Sequence, residues 1–220
     1  MRRTKTAAWE TRNRILDAAE HVFVARGVAS ATLSDIASAA SVTRGAIYGH
    51  FENKSELFAS MIERAGLPTE ALVKEVANTP ETEPLDHIRK VFAESLHGVA
   101  RNPRTWRIFA IIFRKYELAD ESCPVLVRCR RAADELQMHL QAALRQAVHG
   151  GQLPGNLDVE FSSSLLLVLW NGVLLEWLSG PIANAPGNDA DRIAQSWLDM
   201  LRYSPTCLGE ARVPCSTDSF

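Results

Sequence analysis

Residues 32–58 read TLSDIASAASVTRGAIYGHFENKSELF, and three helix starts crowd into them. Thr32 stands three residues before Asp35 at capping-box spacing, with Asp where Glu or Gln is usual. Thr43 precedes Arg44-Gly45-Ala46-Ile47-Tyr48, and Asn53 comes three residues before Glu56. Leu33, Ile36, Ala37 and Ala40 share one face of a short helix over 33–40. Ser41-Val42-Thr43 is a turn, and a second short helix is expected over 44–50. Ile47 and Phe51 bury one side of it, which leaves Thr43, Arg44, Tyr48, Gly49 and His50 facing out. Two short helices joined by such a turn are the skeleton of a helix-turn-helix. A helix showing Thr, Arg, Tyr and His to solvent suits the major groove of duplex DNA. Gly45 costs about 1 kcal/mol against Ala inside a helix, and close approach of the backbone to DNA is the expected return.

Upstream, Ile15, Ala19, Val22 and Phe23 line one face of a first helix ending near Gly27. Downstream of Asn53, a fourth helix turns Leu57, Phe58, Met61, Ile62 and Ala65 inward. Leu72, Val73 and Val76 keep helical spacing and read as its kinked continuation. The chain as a whole carries a net charge of −2, but residues 1–54 carry +3 and the remainder −5. A basic end on an acidic body points to a polyanionic partner at that end.

Longer helices are expected over 84–100, 103–118, 124–149, 158–179 and 189–203, with prolines at or near their starts and Gly150-Gly151 past an end. No β-alternation longer than a few residues occurs, so the expected fold class is all-α. A DNA-binding domain is expected over 10–70, a larger helical domain over 71–203, and a loose tail over 204–220. The apolar run 165–178 is too short to span a membrane, and the basic N-terminus lacks the apolar core of a secretory signal. Cys123, Cys129, Cys207 and Cys215 have no C-x-x-C spacing, which fits a reduced, cytoplasmic protein. Cys123 and Cys129 are the best pair for oxidant sensing, with inert thiols the favoured reading. There is no P-loop, G-x-S-x-G, dinucleotide fingerprint or H-E-x-x-H, and His21, His50, His87, His97, His139 and His149 lack metal-ligand spacing. No enzyme activity, cofactor or metal is expected. A helical-bundle enzyme stays as the rival from another class, and an architectural DNA binder without an effector as a third reading.

The run 32–58, with RILDAAEHVF upstream, resembles the DNA-binding domain of the tetracycline-repressor family of bacterial regulators. The opening MRRTK and the first ~65 residues are similar to its acridine-resistance-type repressors of multidrug efflux, and GGQLPGNLD and LDMLRYSP extend the likeness more loosely. The resemblance implies that Thr43, Arg44, Gly45 and Ala46 open the recognition helix. It implies that Tyr48 and His50, with Gly49 between them on the candidate DNA-facing side, match residues that touch phosphates or bases, and that Thr32 and Lys54 contact phosphates. Two positions depart from the pattern: Ser41 stands where Gly is usual in the turn, and Gly49 where an aromatic residue is usual.

The body is too apolar for a lone bundle of this size, so one face is expected to meet a second copy. The resemblance places a four-helix dimer interface on the last two long helices, with Leu166, Val173, Trp177, Ile193, Trp197 and Leu201 as candidates. It also implies a site for a small hydrophobic or aromatic effector among the middle helices. Candidates by facing are Val91, Ser95, Phe109, Phe113, Leu136, Leu140, Leu167, Trp170, Asn171 and Leu174. Asn171 is expected to be a buried amide seeking a partner, and Glu176 an edge residue. The function so implied is a homodimeric repressor of a multidrug efflux operon, released from a palindromic operator by hydrophobic compounds. Control of lipid or aromatic-compound metabolism is the alternative within the family.

Overall fold

The computed structural model describes residues 2–114, 124–179 and 189–209. Ten α-helices run through them: α1 (Arg2–Arg26), α2 (Leu33–Ala39), α3 (Arg44–Tyr48), α4 (Lys54–Ala65), α5 (Pro68–Ala77), α6 (Pro84–Arg101), α7 (Pro103–Arg114), α8 (Pro124–His149), α9 (Val159–Ser179) and α10 (Ala190–Tyr203). No strand occurs among the described residues. The expected end of α7 at 118 lies outside them.

Local chemistry accounts for the boundaries. Thr32 and Asp35 form a complete capping box, and Thr43 and Asn53 each accept a backbone N–H from the third residue of their helix. α2 ends in a Schellman turn: Val42 N–H donates to Ala37 O and Ser41 N–H to Ser38 O. Ser41 sits at φ 53, the left-handed region that glycine enters freely. α5 is a separate helix rather than a kinked continuation of α4. Gly66, at φ 77, turns the chain out of α4, and Pro68 starts the next helix.

The chain divides into two compact units. The first takes in the described residues of Met1–Ala71, Gly98–Ala133 and Leu175–Ala185. Its core joins Ile15, Leu16 and Phe23 of α1 to Ile36, Ile47, Phe51, Leu57, Phe58, Met61 and Ile62, and also to Ile108 and Ile111 of α7. The expected boundary at residue 70 is therefore where only the first segment ends, because α7 and the start of α8 pack with the N-terminal helices. Glu20 of α1 is buried, and its carboxylate accepts a 2.7 Å hydrogen bond from Arg107 Nε of α7 with Arg104 also at hand. A buried carboxylate is tolerable only with such partners.

The second unit holds Leu72–His97, Asp134–Leu174 and the described residues of Pro186–Phe220. Phe92 of α6 stands edge-on to both Trp170 of α9 and Trp197 of α10, with centroids 6.2 and 5.8 Å away. Residues 204–209, expected to be loose, are docked: Pro205–Cys207 is a 3-10 turn, Asp158 N–H donates to Cys207 O, and Gly209 N–H to Asn156 O. The backbone groups of this segment are satisfied by the loop before α9, which a sequence without periodicity does not reveal. α9 is 21 residues long and, by length and composition, apolar enough to cross a membrane, which the run 165–178 alone is not. Leu166, Trp170, Leu174 and Leu178 on it are buried within the protein.

Candidate nucleic-acid interface

The helix-turn-helix is built from α2, its Schellman turn and α3. Ile47 and Phe51 are buried and fix the inner side of α3. Thr43, Arg44, Gly45, Tyr48 and Gly49 are exposed, with Ala46 and His50 half-buried at the margins. α3 ends at Tyr48, two residues earlier than expected, because Gly49 caps it and His50 N–H already turns back to Ile47 O. The structure therefore brings the expected DNA-facing residues of this helix onto one solvent-facing side.

Arg44 and Tyr48 act as a pair one turn apart. The guanidinium donates to the Tyr48 hydroxyl at 2.9 Å, and its carbon lies 5.5 Å from the ring centroid. Nothing in the chain requires glycine at position 45. A Cβ there would meet only Thr43 Oγ1 at 3.8 Å, and the backbone is helical. At Gly49 the nearest atom to an added Cβ is Ala46 O at 3.4 Å, ordinary contact. Arg12 of α1 lies over the Phe51 ring at 5.0 Å and covers the last turn of the motif from the side.

Thr32 opens α2. Its hydroxyl accepts from Asp35 N–H at 3.1 Å, while Asp35 Oδ2 takes the Thr32 N–H at 3.0 Å and hydroxyl at 2.8 Å. These bonds, and the Arg26 guanidinium 2.6 Å from the other carboxylate oxygen, hold the Asp35 carboxyl below the usual carboxylate range. Lys54 is half-buried at the start of α4, and its ammonium donates to Ala29 O at 2.7 Å and Ala31 O at 2.9 Å, with a third proton left over.

The expected effector residues fall in both units. In the second, Val91, Leu136, Leu140, Trp170 and Leu174 are buried and Leu167 is half-buried. Trp170 Nε1 donates to Ser95 Oγ at 2.9 Å, and Ser95 donates to Phe92 O. Phe92, missed in the sequence reading, is the ring that links them, and only its spacing with Ile88 and Leu96 hinted at burial. Phe109 and Phe113 belong to the first unit, with ring centroids 5.5 Å apart and planes tilted by 43°. Asn171 is exposed, not buried: it shares a face of α9 with Val168 and Leu175.

The dimer candidates divide likewise. Leu166 and Leu201 are 1% and 0% exposed, and Trp177 and Trp197 are also buried, so the chain itself already covers them. Val173 and Ile193 are half-buried. The apolar side chains that α9 leaves open are Phe161, Val168 and Leu175, 45%, 66% and 49% exposed and spaced by seven. Cys207 is fully buried and Cys129 half-buried, while Cys123 and Cys215 lie outside the described residues. Among the described residues, no group of three or more His, Cys, Asp or Glu side chains could hold a metal ion.

Residues 15–61 match the family described as bacterial regulatory proteins, tetR family, and residues 83–203 match the C-terminal region of MAATS-type transcriptional repressors. A probable helix-turn-helix transcriptional regulator of Pseudomonas putida, ArpR, is 38% identical over 205 residues, 93% of this chain and 98% of its own. The crystal structure of MexZ, a repressor responsible for antibiotic resistance in Pseudomonas aeruginosa, is 35% identical with a TM-score of 0.71, covering 90% of this chain and 98% of MexZ. SmeT, the repressor of a Stenotrophomonas maltophilia multidrug efflux pump, was solved as a triclosan complex that is 31% identical, with a TM-score of 0.67, over 87% of this chain and 90% of that one.

Proposed function

Because the chain belongs to the tetR family of bacterial regulatory proteins and carries its helix-turn-helix, we propose that it represses a multidrug efflux operon and is lifted from its operator by small hydrophobic compounds. The observation that carries the DNA half is the outward side of α3, where Thr43, Arg44 and Tyr48 are exposed on a helix anchored from behind by Ile47 and Phe51. Arg44 is the base reader, through the fork geometry that suits guanine O6 and N7. Thr32, Thr43, Tyr48 and His50 hold the backbone, and Gly45 and Gly49 let it approach.

The protein acts in the cytoplasm as a homodimer on a palindromic operator, its half-sites about 34–36 Å apart. The open apolar stripe Phe161, Val168 and Leu175 supports α9 as the dimer face. The effector is apolar or aromatic and binds better to a dimer whose recognition helices are wrongly spaced. DNA affinity then falls by the effector's differential free energy, as linkage requires. The likeness to SmeT, solved with triclosan, supports this chemistry, and Val91, Leu140, Trp170 and Leu174 of the second unit are the contacts we assign to it.

The test is a selection of duplexes from a random library on the purified protein, followed by release with triclosan and other apolar compounds. An inverted repeat released by such compounds is the expected result. A sequence without dyad symmetry overturns the dimeric operator, and release by acyl thioesters alone redirects the reading to lipid metabolism.

A further inference from the structure

On the reading of the chain as a DNA-binding repressor, we propose that the first turns of α1 make a second contact with DNA. They form a basic helical arm that lies along the phosphates beside the half-site and binds them whatever the base sequence. Its ground is where the positive charge stands. Residues 2–14 hold Arg2, Arg3, Lys5, Arg12 and Arg14 against Glu10 alone, for +4. Residues 15–54, which contain the whole helix-turn-helix, hold Arg26, Arg44 and Lys54 against Asp17, Glu20, Asp35 and Glu52, for −1. Arg26 is further matched by Asp35 at 2.6 Å. The motif that reads bases thus brings no net attraction for a polyanion, and the attraction sits on α1.

The arm continues the DNA-facing end of the protein. From Thr6 onward, the first side chain that α1 buries is that of Ile15, and residues 6–10 are all exposed. Its base is fixed: Arg12 lies over the ring of Phe51, just past α3, at 5.0 Å, and Arg64 Nη1 donates to Asn13 O at 3.3 Å. The helix ahead of Arg12 extends about 15 Å, the rise of about four base pairs. Its first turn holds no acidic residue, so Arg2, Arg3 and Lys5 stand at the positive end of the helix dipole, where cations weaken a helix. Phosphates alongside relieve that repulsion. Trp9 is 67% exposed, whereas Trp106 is half-buried and Trp170, Trp177 and Trp197 are buried. Its indole offers an apolar face to the sugars between the phosphates. The rest of 6–10 is Thr, Ala, Ala and Glu, too little apolar surface to seat a helix in lipid.

The experiment compares wild type with a triple variant carrying Arg2→Gln, Arg3→Gln and Lys5→Gln. On duplexes of unrelated sequence the triple variant should bind at least about tenfold more weakly at 0.1 M salt, with a salt slope lower by about 2.7 per subunit. On a duplex enriched from a random library its preference among bases should be that of wild type. Trimming that duplex to the outer ends of the half-sites should weaken wild type and leave the triple variant unaffected. Acrylamide quenching of Trp9 should fall when wild type binds the long duplex and persist on the trimmed one. Binding to unrelated duplexes needs neither operator nor effector, so the arm can fail while the operator reading stands. A library that enriches nothing sinks the operator reading and leaves the slope test intact. An unchanged slope overturns the arm, and so does an equal loss from trimming in both proteins. Trp9 shielded by anionic phospholipid vesicles and not by DNA overturns it in favour of a membrane surface. Lys5→Gln alone, with a slope lower by about 0.9, supplies the same reading if the triple variant does not fold.

Discussion

The Arg44 guanidinium rests on Tyr48, donating to its hydroxyl at 2.9 Å across one turn of α3. The pair is exposed, so the bond adds little to stability. Its consequence is orientation: it selects one rotamer of a long side chain before DNA arrives. Arg44→Ala should cost about 1–3 kcal/mol of operator affinity and relax preference at one base pair. Tyr48→Phe keeps the ring and removes the hydroxyl, and should relax the same base pair with a smaller loss. Selection from a random duplex library reads both. Uniform weakening on all sequences by Arg44→Ala would reduce Arg44 to a phosphate contact.

Gly45 and Ser41 call for opposite substitutions. The Cβ added in Gly45→Ala has open space around it within the chain. The fold should therefore gain about 1 kcal/mol from helix propensity while DNA binding weakens, because the methyl group meets the duplex. Ser41 is strained at φ 53, so Ser41→Gly should stabilise by about 1 kcal/mol without harming DNA binding. Thermal melting beside a DNA-shift assay separates the two. A Gly45→Ala protein that binds its operator as tightly as wild type refutes the close approach.

What the sequence made legible is what local spacing controls. Thr32, Thr43 and Asn53 were readable as caps because their partners lie three residues away, whereas Ser41 stood out only because the resembling family has glycine there. The hydrogen bonds of Lys54 to Ala29 O and Ala31 O were not readable, since these acceptors lie 25 and 23 residues upstream. Nor could periodicity choose a face on α9. That helix is apolar nearly all round, so Leu166 and Val168 look alike until Phe92, Trp170 and Trp197 show which side the chain buries. Asn171 was misplaced for the same reason.

Acid should loosen the start of α2 first. The Asp35 carboxyl titrates below its unfolded value, close to 3.9, because Thr32 and then Arg26 favour its charged form. A depressed carboxyl pKa contributes stability that is present above the unfolded value and lost as pH falls through the folded one. Asp86 of α6 behaves likewise, held down by Lys90 and then Arg89. The thermal midpoint should thus decline below about pH 4, and Asp35→Asn should flatten that decline while lowering the midpoint at pH 7. An acid limb as steep in Asp35→Asn as in wild type would remove Asp35 from the account.

The dimer face is the last prediction, and the burial pattern decides which residue to change. Trp197, the obvious aromatic on α10, is buried against Phe92, so Trp197→Glu should lower the melting point and say nothing of a partner. Val168 is 66% exposed in the single chain, so a carboxylate there is hydrated in a monomer and harmless to its fold. In a dimer that closes over Phe161, Val168 and Leu175, the same carboxylate is buried without a counter-ion. The cost is several kcal/mol, enough to shift the dimer equilibrium by at least about a hundredfold. Val168→Glu should therefore sediment as a folded monomer with an unchanged melting profile in the far ultraviolet. Operator affinity should collapse with it, because two recognition helices no longer arrive on one body and each half-site must be bound separately. Val168→Leu, which keeps the face apolar, should leave both properties intact. If Val168→Glu stays dimeric at the same protein concentration, the stripe on α9 is not the contact between copies.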